Sequence, residues 1–258
     1  MGAPPGRGVT ARSYPGHVTG PLKGLVVDWG GVLTPSLDAA MSDWARADGV
    51  DFEHFREVMR AWVGPRPGDG PGEDADEGPV AAVEQAPDAG DAALSPVHRL
   101  ERGELAPADF EAELAGRLAE RGSPVAAQGL LRRLLAGLVE LDAGMVGLVR
   151  RAHAGGVRTA LLSNSWGDHY PDELWDGLFD AVVISGRVGM RKPDAQIFKH
   201  TVQLLGLEPG ECVMVDDLPH NIRAAVAAGM VGVLHTDVDT TRAELEVLLD
   251  RPLGPDGA

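Results

Sequence analysis

The sequence predicts an α/β protein: a doubly wound parallel sheet forms the core, and a small α-helical cap domain is inserted after the first strand. Short apolar, β-branched runs alternate with helical patterns in the second half of the chain, which is typical of a parallel sheet with both faces covered. One more such run lies near the N-terminus, and a mostly helical stretch separates it from the others. Polar side chains follow several of these runs, where open α/β sheets hold their ligands.

The composition indicates one sizeable core and a smaller accessory domain. The chain has 258 residues, of which 44% are hydrophobic. No apolar run approaches the roughly 18 residues of a membrane-spanning helix, so we expect no membrane protein. The net charge of -16 argues against nucleic acid or an anionic membrane as a partner. Cys212 is the only cysteine and lies in an apolar run, which predicts a packed thiol.

The N-terminal segment differs from the rest of the chain. Residues 1–20 are rich in Gly and Pro and have no periodicity, which predicts a disordered leader. They contain no apolar h-region, so we expect a cytoplasmic protein, and the Ala, Gly, Pro and Arg usage is typical of a high-GC bacterium. The first strand is predicted at 23–29, where an apolar run stops at Asp28 and Gly30 and Gly31 open a tight loop.

Helical patterns dominate residues 36–145, which we assign to the cap. Residues 64–93 interrupt them with eight acidic residues against Arg66 and many Gly and Pro, and we predict a disordered insert there. A helix–turn–helix is predicted over 96–121, turning at Gly103 and restarting at Pro107. The remaining predicted helices are Leu37–Asp48, Asp51–Trp62, Gln128–Val139 and Asp142–Ala154.

Residues 21–35 and 146–258 are assigned to a Rossmann-like core. Beyond the first strand, the predicted strands are Val157–Ser163, Ala181–Ser185, Cys212–Asp216 and Val231–His235, and the predicted helices are Asp194–Leu205 and Asn221–Ala228. Because parallel strands end at one edge of a sheet, the residues that follow them should meet. These residues are Asp28, Ser163, Lys192 and the pair Asp216 and Asp217.

Carboxylates, a hydroxyl and an ammonium group at one edge predict a site for a phosphate and a cation. One or two carboxylates with a backbone carbonyl are typical Mg²⁺ ligands. Lysine and hydroxyl donors neutralise a phosphoryl group as charge develops on it. The N–H groups of Gly30 and Gly31 are expected to face the same oxygens. We therefore predict that Asp28 is a nucleophile and a metal ligand.

Four segments carry a family resemblance. DWGGVLT, LLSNS, the lysine of GMRKPDAQIF and VDDLPHN resemble the four ordered motifs of the haloacid dehalogenase-like hydrolase superfamily. The resemblance covers residues 23–35 and 155–236, and the helical insert is similar to the small C1-type caps of that superfamily. The third and fourth motifs most resemble the phosphatase domain at the N-terminus of soluble epoxide hydrolases and related bacterial phosphatases.

The resemblance implies a Mg²⁺-dependent phosphatase that acts on a small phosphorylated metabolite through an aspartyl-phosphate on Asp28. Lys192 and Ser163 are the other implied catalytic residues. The implied Mg²⁺ ligands are Asp28, the Gly30 carbonyl and Asp217. Asp216 and Asn221 are expected to lie behind these ligands and to hold them in position without binding the metal. The implied phosphate-binding residues are Trp29, Gly30, Gly31, Ser163, Asn164 and Lys192.

The sequence departs from the pattern two residues after the nucleophile. Most phosphatases of the family have an aspartate there as general acid and base, whereas this chain has Gly30. A water, a cap residue or the substrate would then supply the proton, or the leaving group is already good. Two alternatives remain open: a metal-independent 2-haloacid dehalogenase-type hydrolase, and a non-catalytic phosphate-binding or regulatory protein. The physiological substrate and the oligomeric state are left open.

Overall fold

The computed structural model of the protein describes residues 20–63, 95–167, 170 and 177–254. The predicted insert at 64–93 and all but the last residue of the predicted leader lie outside these residues, so both assignments stay predictions. The division into a core and a cap likewise stays a prediction.

Five parallel strands form one sheet with the order β3-β2-β1-β4-β5. The strands are β1 Gly24–Val27, β2 Arg158–Ser163, β3 Ala181–Ile184, β4 Cys212–Asp216 and β5 Val231–Leu234. The first strand lies in the middle, where Val27 pairs with Leu161 of β2 and Val215 of β4. All strands therefore end at the same edge, and the predicted parallel sheet is confirmed.

Helices account for most of the other described residues. They are α1 Leu37–Asp48, α2 Phe52–Val63, α3 Pro96–Glu101, α4 Pro107–Glu120, α5 Leu130–Leu134, α6 Ala143–Ala154, α7 Ser185–Val188, α8 Ala195–Leu205, α9 Pro219–Ala227 and α10 Val238–Leu249. Two 3₁₀ turns, Ala136–Val139 and Pro209–Glu211, complete the set.

Most predicted helices agree with these bounds to within a few residues, and three larger differences remain. The sequence analysis extended the third strand to Ser185, which instead begins α7. It predicted one element over Gln128–Val139, where the structure has α5 followed by a 3₁₀ turn. It also left α10 unassigned. That helix buries Leu245 and Leu249. Asp237 caps its N-terminus, where the Asp237 side chain accepts the Thr240 N–H.

Alternating side chains of each strand enter two separate apolar layers. Leu25 and Val27 of β1 pack in the layer that contains residues of α6 and α10. Val26, between them, packs in the layer that contains residues of α8 and α9. Because neighbouring strand residues point to opposite faces, this arrangement covers both faces with helices. The predicted doubly wound architecture is confirmed.

Helices α1–α5, here called the helical group, have an apolar cluster of their own. Phe55 of α2 packs against Trp44, and Phe110 of α4 packs against Trp62. Trp166, from the loop after β2, joins the same cluster and meets the Phe110 ring edge to face at 5.6 Å. The helical group is therefore anchored to the loop region at the end of the sheet.

Among the described residues, the helices are all too short or too polar to cross a membrane.

We predict that the Cys212 thiol is unreactive in the folded protein at pH 7 to 9. The side chain is fully buried, and its sulfur lies so close to Gly24 that a Cβ at that position would be only 2.5 Å from it. Burial raises the pKa of Cys212 from 9.0 to about 12. Titration with a thiol-specific chromogenic reagent should give no fast reaction and no increase between pH 7 and 9. Protein unfolded in guanidinium should react fully, and a rapid reaction of native protein would contradict the prediction.

Candidate active site

Asp28 lies where the central strand ends. Its N–H donates to the Val215 carbonyl at 3.0 Å, which continues the ladder between β1 and β4 by one residue. Its Oδ1 accepts the Trp29 N–H at 2.6 Å, and its Oδ2 lies 2.8 Å from the Lys192 ammonium. The carboxylate is buried, so these contacts fix its direction.

Lys192 lies between two carboxylates. Its Nζ is 2.8 Å from Asp28 Oδ2 and 2.6 Å from Asp216 Oδ2, and its side chain is 1% exposed. The Asn164 side chain binds both backbone polar groups of Lys192. The lysine N–H donates to Asn164 Oδ1 at 2.8 Å, and Asn164 Nδ2 donates to the lysine carbonyl at 2.9 Å. The Asn164 side chain therefore positions the lysine, while binding of phosphoryl oxygens by the Asn164 backbone stays a prediction.

Both oxygens of Asp216 are occupied. Oδ1 accepts hydrogen bonds from the Leu218 N–H at 2.9 Å and from Asn221 Nδ2 at 3.0 Å. Oδ2 accepts from Lys192 at 2.6 Å and from Asn221 Nδ2 at 3.1 Å. The carboxylate is completely buried, so these donors compensate for its lost hydration.

Asp217 differs from its neighbour in that one of its two carboxylate oxygens lacks a hydrogen-bond donor. Its Oδ1 and the Oδ1 of Asn221 are buried and have no hydrogen-bond partner among the described residues. One oxygen from each of Asp28, Asp216 and Asp217 lies within 4.8 Å of the others. Three carboxyl groups thus surround the single ammonium of Lys192, and buried acceptors without donors are rare. These donor atoms fit a small divalent cation such as Mg²⁺.

The pKa values of Asp28, Asp217 and Lys192 are shifted by burial and by the charges of their neighbours. Burial raises the pKa of Asp28 despite the adjacent Lys192, and Asp216 and Asp217 add to the rise. Burial and the charge of Asp216 raise the pKa of Asp217 to about 6. Burial alone would lower the pKa of Lys192, but attraction to Asp216 and Asp28 raises it above its ordinary value, so the amine stays protonated. Among the described residues, the site therefore combines three carboxyl groups with one ammonium group.

Ser163 ends β2 and contacts a residue that the sequence analysis missed. Its hydroxyl lies 2.8 Å from the hydroxyl of Tyr170, whose ring meets the Trp29 ring edge to face at 5.7 Å. Tyr170 therefore touches both the predicted phosphate-binding serine and the residue after the predicted nucleophile. It follows no strand and belongs to no periodic pattern, so nothing local indicates this position.

The loop after Asp28 uses its N–H groups differently from the expectation. The Gly31 N–H donates to the Pro35 carbonyl at 3.1 Å, so it is engaged within the loop and not free as the sequence analysis expected. Gly31 has a φ of +77°, and a Cβ there would lie 2.1 Å from Asp217 Oδ2. Gly30, in contrast, has open space where a Cβ would stand. Binding of phosphate by Trp29, Gly30 and Gly31 stays a prediction.

Comparison with known proteins agrees with the motifs. A family model described as haloacid dehalogenase-like hydrolase matches residues 22–229. The sesquiterpene phosphatase astK of Aspergillus oryzae is 34% identical over 156 residues, which are 58% of this chain and 78% of that protein. Bifunctional epoxide hydrolase 2 of Sus scrofa is 37% identical over 99 residues, 35% of this chain, and the match spans only 18% of that protein.

A solved structure shares the fold. A HAD family enzyme of Bacteroides thetaiotaomicron, in complex with magnesium and inorganic phosphate, superposes with a TM-score of 0.55 at 18% identity. The match covers 83% of this chain and 94% of that chain. At this identity the likeness concerns the fold.

We predict that Gly31→Ala removes the response of the protein to Mg²⁺, whereas Gly49→Ala keeps it. Both glycines have a left-handed φ, +77° and +69°, so each alanine costs about 1 kcal/mol of backbone strain. Only at Gly31 does the new Cβ displace the Asp217 carboxylate, because Gly49 has no atom within 4 Å. Saturating Mg²⁺ should raise the melting temperature of wild-type protein and Gly49→Ala but not of Gly31→Ala. Equal rises in both variants would contradict the assignment of Asp217.

Proposed function

Because the chain belongs to the haloacid dehalogenase-like hydrolase family, we propose that this hydrolase is a Mg²⁺-dependent phosphatase that cleaves a small phosphorylated metabolite through an aspartyl-phosphate. The observation that carries the proposal is a buried ammonium, that of Lys192, 2.8 Å from the Asp28 carboxylate in an acidic cluster. A relative named a phosphatase, 34% identical over 156 residues, also supports it.

In this mechanism Asp28 is the nucleophile. A carboxylate oxygen forms a bond to phosphorus while the bond from phosphorus to the leaving oxygen breaks, which divides one difficult displacement into two easier ones. Lys192 and Ser163 then stabilise the charge that builds on the phosphoryl oxygens. A water attacks the phosphorus of the intermediate, which releases inorganic phosphate and restores the Asp28 carboxylate.

Asp28, the Gly30 carbonyl and Asp217 would hold Mg²⁺, which when bound neutralises charge on the transferred phosphoryl group. Asp217 suits this role better than Asp216, since its Oδ1 has no partner among the described residues while both Asp216 oxygens accept protein hydrogen bonds. Asp216 and Asn221 instead hold Lys192 in place.

The leaving oxygen must also gain a proton, and residue 30 cannot supply it. General acid and base assistance is typically worth about 10²- to 10⁴-fold in rate. The proposed enzyme should therefore prefer aryl or acyl phosphates, whose leaving groups are weak bases. The missing aspartate is the main support for a non-catalytic phosphate-binding protein, and it is compatible with a 2-haloacid dehalogenase, which needs no proton donor. The next experiment separates the three functions.

We predict that the purified protein releases phosphate from an aryl phosphate and an acyl phosphate, that EDTA abolishes this release and that Mg²⁺ restores it. Asp28→Asn should lose activity by roughly 10³-fold or more, because it removes the attacking carboxylate. Asp43→Asn is the matched control, since its side chain is 71% exposed on α1 and should leave the rate unchanged.

Each alternative gives a different result in the same assays. Phosphate release by Asp28→Asn at the wild-type rate would indicate a contaminating enzyme and contradict the proposal. Chloride release from 2-chloropropionate that persists in EDTA would favour the dehalogenase. Phosphate binding without turnover of any substrate would favour the binding protein. The substrate panel should include prenyl phosphates, because one relative is named a sesquiterpene phosphatase, together with sugar phosphates.

We also predict that Gly30→Asp raises kcat for alkyl phosphates by roughly 10²-fold, because it supplies the missing proton donor. The change is sterically feasible, as no heavy atom lies within 4 Å of a Cβ at residue 30. Gly30→Asn is the matched control: it has the same size but no exchangeable carboxyl proton, and it should give no increase. The ratio of alkyl to aryl phosphate turnover measures the effect. A similar rate for both variants would show that the proton comes from elsewhere.

A further inference from the structure

Another buried carboxylate, that of Glu101, lies outside the acidic cluster and has no role in the mechanism above. It is the last residue of α3 in the helical group, and its side chain is 8% exposed. Its Oε2 accepts from Arg191 Nε at 2.6 Å, and its Oε1 accepts from Trp166 Nε1 at 3.2 Å. Arg191 is itself only 14% exposed in its side chain, so this is a buried ion pair.

The backbone of Glu101 is held as well. Its carbonyl accepts the Ser185 hydroxyl proton at 2.6 Å, and the Ser185 Oγ in turn accepts the Ser165 N–H at 2.8 Å. Ser165 lies in the loop after β2 and Ser185 begins α7 directly after β3, so the end of α3 is bonded to α7 and, through Ser185, to the loop after β2. Glu101 thus has fixed contacts through both its backbone and its side chain.

Arg191 directly precedes Lys192, so this ion pair acts one residue away from the buried ammonium. The Asn164 side chain holds the Lys192 backbone from one side. The Glu101–Arg191 pair holds the preceding residue from the helical group. Together these contacts restrain the segment that aims the Lys192 side chain between Asp28 and Asp216.

We propose that Glu101 is a positioning residue: through Arg191 it fixes the loop that places the Lys192 ammonium against Asp28. Through Glu101 the helical group therefore contributes to the geometry of the site. The kinetic consequence of this inference rests on the proposed phosphatase function, whereas the geometric consequence does not.

The kinetic test compares Glu101→Gln with Asp48→Asn. Asp48 Oδ2 also accepts an arginine Nε, from Arg133 at 2.7 Å, and a tryptophan Nε1, from Trp44 at 2.9 Å, but all three lie within the helical group. Glu101→Gln should lower kcat roughly 10- to 100-fold with KM nearly unchanged, because it misplaces a group needed at the transition state. Asp48→Asn, which removes the same kind of charge elsewhere, should leave kcat close to the wild-type value.

A spectroscopic test does not require activity. The chain has only three lysines, Lys23, Lys192 and Lys199, so the ammonium signal of Lys192 can be assigned in ¹⁵N-lysine-labelled protein with a Lys192→Arg variant. In wild-type protein the buried ammonium should exchange protons slowly with water. Glu101→Gln should shift its signal and accelerate that exchange, whereas Asp48→Asn should not. A wild-type protein without phosphatase activity would overturn the proposed function but leave this measurement decisive.

Two results would overturn the inference: an unchanged Lys192 signal in Glu101→Gln, or equal changes in signal and kcat in both variants, which would show a general effect on the helical group. If Glu101→Gln does not fold, Arg191→Gln replaces it, since it removes the other partner of the same ion pair. Its matched control is Arg133→Gln. The same pattern of results then supports or overturns the inference.

Discussion

The buried ammonium of Lys192 is the constraint on which the rest of the site depends. Removing a charge from water costs several kcal/mol, and only closely placed opposite charges offset that cost. Asp28 and Asp216 can both reach the amine because β1 and β4 are neighbours in the sheet and end at the same edge. A register slip between these strands would leave the lysine or one of the acids buried without a partner.

The Lys192 ammonium pairs with Asp28 and Asp216, and a third carboxyl group, that of Asp217, lies beside them. Asp217 lies beside Asp216 with an oxygen that has no partner among the described residues, and the pKa of Asp217 rises as a result of burial and this neighbour. Gly31 gives the carboxylate its space, since any side chain there would overlap it. This surplus of carboxyl groups supports the proposed binding of a divalent cation.

The loops that carry the site also carry the contacts with the helical group. Ser163 ends the same strand after which Trp166 enters the apolar cluster of the helical group, and Arg191 pairs with Glu101 immediately before Lys192. The short connections make the two sets of contacts interdependent. A helix that moved away from the sheet edge would have to break a buried ion pair and expose an indole ring.

The local pattern of the sequence was enough to predict a parallel sheet and the residues at its edge. Apolar runs that end in polar side chains predict that Asp28, Ser163 and Asp216 lie at one edge of the sheet, because parallel strands end at the same edge whatever their order. Only the tertiary structure brought Tyr170 to Ser163, Glu101 to Arg191 and the Asn164 amide to the Lys192 backbone. Those contacts depend on how loops and helices from distant parts of the chain are packed together, and the short-range periodicity that reveals a strand or a helix contains no information about such packing.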